Sequence, residues 1–393
     1  MSRRRSEGAQ RNDERLLDAA TAELVEVGID HLAMSAVARR AGLTTGALYS
    51  RYENVTELAA AVWTSRVRDR HHALLDIAVR SLIERDRGAD IDHLLAELLQ
   101  PSEDTLLAIE LLATARRVDD LEEVVFRDVA EWMRGWRAGP RGNRQRRAQV
   151  AYTLGMVWGV LLHEVPSKAR REWTYTTRSL RSSFGRAYAE PTTPFVPDVT
   201  HAIAADTGDA AQNALIDSVA MSVGRVGFER SSATRIARRA GVTPGSIYSR
   251  YRTKDDLLRH AVETLLARRF RDDLAANRDT FVGKEVGTTT AQIVGGYLSA
   301  ERREWRLLRI EAQIAAIHRP DLSDALDRIQ QEAIREYLDV LGAGNDEERA
   351  ALDEIAASAQ ALPLGLAFLD LVTEGVSAID WRRVLVPLLT PGA

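Results

Sequence analysis

Apolar positions recur at helical spacing along almost the whole chain. Leu16, Leu17, Ala20, Leu24 and Val27 share one face, and Gly28 follows where a helix stops. Ser35 is placed to cap a short helix running to Arg40, with Gly42 in the turn after it. Thr44 is placed to cap a second short helix running to Tyr52. Asn54 and Glu57 form a capping-box variant that opens a third helix, apolar along Leu58, Val62 and Val67. Longer amphipathic helices are predicted over 105–114, 121–136 and 148–165, and again over 291–300, 322–341 and 350–374. No window alternates as a strand does, so the expected fold class is all-α.

The chain repeats itself. Residues 35–52, SAVARRAGLTTGALYSRY, align with residues 234–251, TRIARRAGVTPGSIYSRY, at an offset of 199. The match extends upstream, where Leu16, Leu17, Leu24, Val27 and Gly28 face Leu215, Ile216, Val223, Val226 and Gly227. Downstream it is weaker but colinear: Glu110 and Ala115 pair with Glu311 and Ala316, and Gly155 and Trp158 with Gly365 and Phe368. The capping logic repeats too, with Thr234, Thr243 and Thr253 as caps, Gly241 in the turn and Pro244 at a first helical position. Two tandem units follow. Their expected divisions are 10–70 and 71–189 for the first, a linker at 190–209, and 210–268 and 269–393 for the second. Pro191, Pro194 and Pro197 favour an extended linker, which reaches roughly 60 Å when stretched.

Composition narrows the function. The 393 residues are 45% hydrophobic and 28% charged, an ordinary globular balance. A net charge of -4 means that any nucleic-acid surface is a local patch. The absence of cysteine excludes disulfides, zinc-thiolate sites, iron–sulfur clusters and a cysteine nucleophile, and it fits a reducing compartment. The basic start has no apolar core of a secretory signal, and the apolar run 153–162 is too short to span a bilayer, so a cytoplasmic protein without membrane partners is expected. Only Lys168, Lys254 and Lys284 are lysines among 53 basic residues, a bias that fits a GC-rich genome better than a function. No phosphate-binding loop, dinucleotide fingerprint, metalloprotease motif or nucleophile elbow is present. No catalytic, metal or cofactor residues are therefore assigned, and an enzyme is not expected. His71-His72 reads as a solvated pair.

A helix, a glycine turn and a second capped helix make a helix-turn-helix, whose second helix enters the major groove. Residues 35–52 carry Arg39, Arg40 and Arg51 and no acid; residues 234–251 carry Arg235, Arg238, Arg239 and Arg250 and no acid. These are two local basic patches. Each second helix begins with small or hydroxyl residues, Thr44-Thr45-Gly46 and Thr243-Pro244-Gly245, which let its N-terminus approach phosphate. Arg39 and Arg40 fit a solvated face as well as a contact. Arg3, Arg4 and Arg5 fit a disordered basic tail, or an arm entering a groove.

The pattern Ala-Gly-Leu/Val-Thr-x-Gly-x-Leu/Ile-Tyr-x-x-Tyr, followed by a capped helix, resembles the TetR family of tetracycline-repressor-like regulators. The resemblance is strong over 10–70 and 210–268. It implies that Thr44, Thr45, Gly46, Ala47, Thr243, Pro244, Gly245 and Ser246 lie at the start of recognition helices facing double-stranded DNA. Tyr49 and Tyr248 would contact the DNA backbone, as would Arg51 and Arg250, while Tyr52 and Tyr251 would pack in the small core. Lys254 matches a lysine that touches phosphate; the first unit has Val55 there, with Glu53 nearby. The resemblance further implies C-terminal helices that bind a small effector and pair as a four-helix bundle. Here the glycine faces of Gly155, Trp158, Gly159 and Leu162, and of Gly365, Phe368 and Val372, are expected to pack on each other within one chain. The result is a monomer acting as a pseudo-dimer, with pairing favoured by the tether.

Two aromatic groupings suit a lipophilic or aromatic effector: Glu110, Trp132, Trp136 and His163 in the first unit, and Tyr297, Trp305, Glu311 and His318 in the second. Tryptophan at helical spacing also reads as plain core. The expected function is a sequence-specific DNA-binding regulator, a repressor released by an effector, reading an imperfectly palindromic or non-palindromic operator. The alternative is an effector-binding or protein-interaction protein whose reading heads have degenerated.

Overall fold

Each apolar stripe becomes a helix packed on its neighbours. The computed structural model describes residues 2–84, 86, 88–139, 143–167, 171, 173, 203–279, 286–342, 345–373 and 375–389, and these contain helices and their connections but no strand. Most of the linker, 190–202, lies outside the described residues.

The first head is built from α1 (Ser2–Val27), α2 (Met34–Arg40) and α3 (Thr45–Tyr49). Leu16, Leu24, Val37 and Leu48 are fully buried between them. Gly28 ends α1 at φ +75, and its amide donates to the Leu24 carbonyl; that backbone conformation is open to glycine at little cost. Two predicted caps move. Ser35 lies inside α2, whose N-cap is Ala33 with no side-chain cap, because the helix starts two residues earlier than a Ser35 cap would place it. In the second unit Ser232, not Thr234, accepts the capping hydrogen bond, from the Arg235 amide. The second short helix ends at Tyr49 rather than Tyr52. Arg3, Arg4 and Arg5, expected in a disordered tail or a groove-entering arm, fall within α1.

The rest of the first unit comprises α4 (Val55–Val62), α5 (Arg68–Val79), α6 (Ile91–Leu99), α7 (Glu103–Ala115), α8 (Asp119–Gly135) and α9 (Arg144–Glu164). Wide π-turns at Trp63–Val67 and Arg80–Glu84 flank α5. The second unit repeats the order with α10 (Ala210–Val226), α11 (Ala233–Arg239), α12 (Pro244–Tyr248), α13 (Lys254–Ala276), α14 (Val286–Tyr297), α15 (Arg303–Ala315), α16 (Pro320–Leu341), α17 (Asp346–Val372) and α18 (Trp381–Leu389). Here one unbroken α13 replaces the interrupted α4–α5 path.

The two units join along α9 and α17. Gly155 and Gly159 of α9 face Gly365 of α17, and a Cβ on Gly365 would overlap the Gly155 carbonyl. Trp158 packs on Phe368 across this seam, ring centroids 5.1 Å apart. The glycines are what permit backbones to come this close. Glu348–Val372 has the length and hydropathy of a membrane span, but 78% of its most apolar 18-residue stretch is buried inside the protein.

Candidate nucleic-acid interface

The recognition helices stand on their heads in the same way. Leu48 and Ile247 are fully buried, anchoring α3 and α12, while Tyr49 and Tyr248 are 54% and 57% exposed. These two tyrosines are the large hydrophobic side chains left exposed among the described residues. Thr44, Thr45 and Gly46 are exposed, as are Thr243, Pro244 and Gly245; Ala47 and Ser246 are half-buried. Tyr251 is buried and Tyr52 packs against the core, as their aromatic spacing suggested.

The two helix starts differ in chemistry. Thr44 Oγ1 accepts from the Ala47 amide at 3.2 Å. Thr243 makes no such cap; its hydroxyl lies 3.2 Å from the Ser246 hydroxyl. Ser246 thus competes for the group that would cap the helix, while its amide meets the Thr243 carbonyl at 3.0 Å as the Ala47 amide meets the Thr44 carbonyl in the first head.

The basic windows are partly neutralised by acids that the local sequence does not contain. Arg51 pairs with Asp13 of α1, and its Nη1 donates to the Ala47 carbonyl at 2.8 Å. Arg250 reaches Asp209, the N-cap of α10, at 3.2 Å. Both arginines therefore brace the recognition helix against the first helix of its head. Arg40 is held by Glu23 and Glu26, whereas Arg39, Arg235 and Arg238 are exposed. Lys254 Nζ lies 3.4 Å from the Glu229 carbonyl oxygen and 3.7 Å from Asp255.

The expected effector groupings do not assemble as written. Trp132 and Trp136 both donate their indole N–H to Asp76 at 2.8 Å, which fastens α8 to α5. Trp136 borders an open polar cleft of about 910 Å³. His163 is buried in the α9–α17 seam against Glu164 and Gln360. In the second unit Tyr297 and Trp305 do meet, edge to face at 4.9 Å. Glu110, Glu311 and His318 instead converge at the junction of the two heads. Each grouping lies within one unit in sequence, whereas the junction brings Glu110 of the first unit to His318 of the second. His71-His72 is not a solvated pair either: His71 is buried, accepts the Trp158 indole N–H at 3.1 Å, and burial pushes its pKa down to about 3.

That junction is a cavity of about 430 Å³ with near two-fold chemistry. Glu110 accepts from the Ile29 amide at 2.8 Å and meets His318 at 2.9 Å. Its counterpart Glu311 meets Arg117 at 3.3 Å and also pairs with Arg116. Asp30 takes both Arg117 amino groups at 2.7 Å and Arg230 at 3.0 Å. Glu229 takes Arg319 at 3.1 Å and faces His31 at 3.7 Å. Sequence reading missed Asp30, Arg117, Glu229 and Arg319, although the offset of 199 or 201 that aligns the units pairs Asp30 with Glu229 and Arg117 with His318.

The family model for bacterial regulatory proteins of the tetR family matches residues 16–62 and 215–261. These spans run from the buried leucine face of the first helix of each head to the helix after the recognition helix. No curated protein matches the chain significantly.

Proposed function

The chain is a tetR-family regulator with two DNA-binding heads in tandem, and from that premise we propose that it is a repressor released by a small effector, reading its operator as a single-chain pseudo-dimer. The observation that carries this reading is the matched pair of exposed tyrosines, Tyr49 and Tyr248, on recognition helices whose other large residues are buried. An exposed aromatic ring costs solvation free energy that a bound phosphate backbone and sugar surface would recover.

Thr44, Thr45, Gly46 and Ala47 in one head, and Thr243, Pro244, Gly245 and Ser246 in the other, are the proposed groove-facing positions. Arg51 and Arg250 act on DNA through the orientation of those helices, and Lys254 reaches phosphate after leaving Glu229. The α9–α17 seam supports pairing within one chain, because glycine-to-backbone contact leaves no room on those faces for a second chain. Effector release works by tilting α4 and α13, which run from the heads into the larger helical parts.

Selection of bound sequences from random duplex DNA, with the mass of the free protein measured by light scattering, tests this reading. The expected outcome is a defined site with two unlike halves and a mass of one 43.6 kDa chain. No enrichment of any sequence would favour degenerate heads, and a stable mass of two chains would remove the single-chain reading.

A further inference from the structure

The core of the second unit holds buried arginines. Arg269 of α13 and Arg309 of α15 are each 1% exposed, and Arg302, just before α15, is fully buried. Asp273 pairs with Arg269 and lies 3.4 Å from Arg302. Arg309 meets no carboxylate among the described residues. It donates to the Tyr297 hydroxyl at 3.2 Å and the Gln360 carbonyl at 3.4 Å, and its Nε has no partner. The Nε2 of Gln360, also buried, has none either.

Both guanidinium groups lie against the same two rings. Arg269 is 5.5 Å from the Tyr297 and Trp305 centroids, and Arg309 is 5.7 and 5.9 Å from them. Burial, and then Arg302, pushes Arg269 well below the usual guanidinium range; burial pushes Arg302 down to about 10. A guanidinium keeps its proton in a protein, so these directions describe cations taken out of water, and Arg309 beside them meets no carboxylate among the described residues.

The repeat provides an internal control. At the offset that aligns Glu110 with Glu311, Arg309 corresponds to Ala108 and Arg302 to Pro101. At the offset of 199 that aligns the heads, Arg269 corresponds to Arg70, which is exposed and pairs with Asp104 outside the core. The fold of the unit therefore does not require this cluster.

The space between the groups is small, about 10 Å³, the room of one water at most. Its wall includes Ala359, Gln360 and Pro363 of α17. Pro363 has no N–H to give the Ala359 carbonyl one turn back, so α17 is weakest at this wall. Two residues on, Gly365 packs against Gly159 of the first unit.

We propose that this cluster is the effector site, and that its ligand is a small organic carboxylate. The carboxylate lies between Arg269 and Arg309, where a planar guanidinium can bind it with paired hydrogen bonds. The apolar body rests on Tyr297, Trp305 and Phe270. Entry displaces α17 about Pro363 and moves the seam. Only this last consequence, release of DNA, rests on the repressor reading; binding of the anion does not.

Benzoate, salicylate and hexanoate, with benzamide and benzylamine as neutral and cationic shape controls, test the site on the full chain. The three carboxylates are expected to raise the melting temperature by about 5 °C at a hundredfold excess over Kd and to change tryptophan fluorescence through Trp305; the controls do neither. Arg309→Met is expected to raise the melting temperature of the free protein and to abolish the carboxylate effect, because it removes an uncompensated buried charge. Where that variant fails to fold, Arg309→Gln is read by its lost response to benzoate. No shift with any carboxylate, an equal shift with benzamide, or a folded Arg309→Met that melts lower and still responds would overturn the proposal. Carboxylate binding without loss of affinity for the selected duplex keeps the site and removes the release step. Duplex binding with no carboxylate response removes the site and keeps the DNA reading.

Discussion

Glu110 of the first unit and His318 of the second are joined by a 2.9 Å hydrogen bond, at the place where the pseudo-symmetric pair is Glu311 with Arg117. One half of the junction thus carries a permanent cation and the other a titrating one. The hydrogen bond to Glu110 raises the His318 pKa above its ordinary 6.5. Because the folded value is raised, the stabilisation is fully present below the ordinary histidine range and is lost as pH rises through the raised value. Glu26, Asp30, Glu229, Glu311, Arg117, Arg319 and His31 border the same cavity and set its field. Thermal unfolding between pH ~5.5 and ~8.5 should show a loss of about 1 kcal/mol on the alkaline side, small because His318 is partly exposed. His318→Arg should flatten that limb by installing the charge that Arg117 supplies opposite; an unchanged pH profile would remove His318 from it.

Gly365 tests the seam. A Cβ there meets the Gly155 carbonyl and the Gly159 amide, both backbone, so no side chain can rotate away. Gly365→Ala should destabilise by about 3 kcal/mol through overpacking. The same change at Gly241, where an added Cβ meets nothing within 4 Å, carries only the strain of its φ of +70, about 1 kcal/mol. Comparing the two melting temperatures separates close packing from backbone conformation.

Capping should differ between otherwise matched heads. Thr44→Ala removes a hydroxyl that accepts from the Ala47 amide and should cost about 1 kcal/mol. Thr243→Ala removes one that caps no amide and should cost a few tenths. Asn54→Ala, which leaves the Thr56 and Glu57 amides without their acceptor, should cost at least as much as Thr44→Ala. Denaturant unfolding of the three variants gives the ranking.

The heads, the repeat and the glycine faces were legible in sequence because each rests on local pattern: capping spacing, turn glycines and helical periodicity. The pairing of Gly155 and Gly159 with Gly365 was legible too, since small residues on two long apolar helices have few other uses. The junction was not. Glu110 and His318 lie 208 positions apart, and nothing local to either names the other. The arginine cluster was hidden differently. Arg269, Arg302 and Arg309 sit on faces otherwise apolar, beside Phe270, Trp305 and Leu308, yet an arginine is read as solvent-facing until packing places it. The acids that brace Arg51 and Arg250 lie on preceding helices, outside the windows that looked purely basic.

The heads should dock alike and read differently. Shared positions orient each recognition helix: Leu48 and Ile247 are buried, Tyr49 and Tyr248 project, and Arg51 and Arg250 are tied to acids behind them. Divergent positions face outward: Thr45 against Pro244, and Ala47 against Ser246. Proline removes an amide that could meet phosphate, and serine adds a hydroxyl that can bond a base edge. Tyr49→Ala and Tyr248→Ala should leave melting unchanged, since both rings are exposed, but each should weaken operator binding by about tenfold, with unequal losses. Lys254→Ala should reduce the slope of log affinity against log salt by about 0.9, the signature of one phosphate contact. Glu53 and Val55 give the first head no equivalent, so no substitution at Val55 to alanine should change that slope. Ser246→Ala should relax base preference in one half-site and leave the other intact. A perfectly palindromic selected consensus, with equal losses from the two tyrosine variants, would contradict the unlike-halves reading, because two heads that differ at their groove-facing residues would then be reading the same sequence.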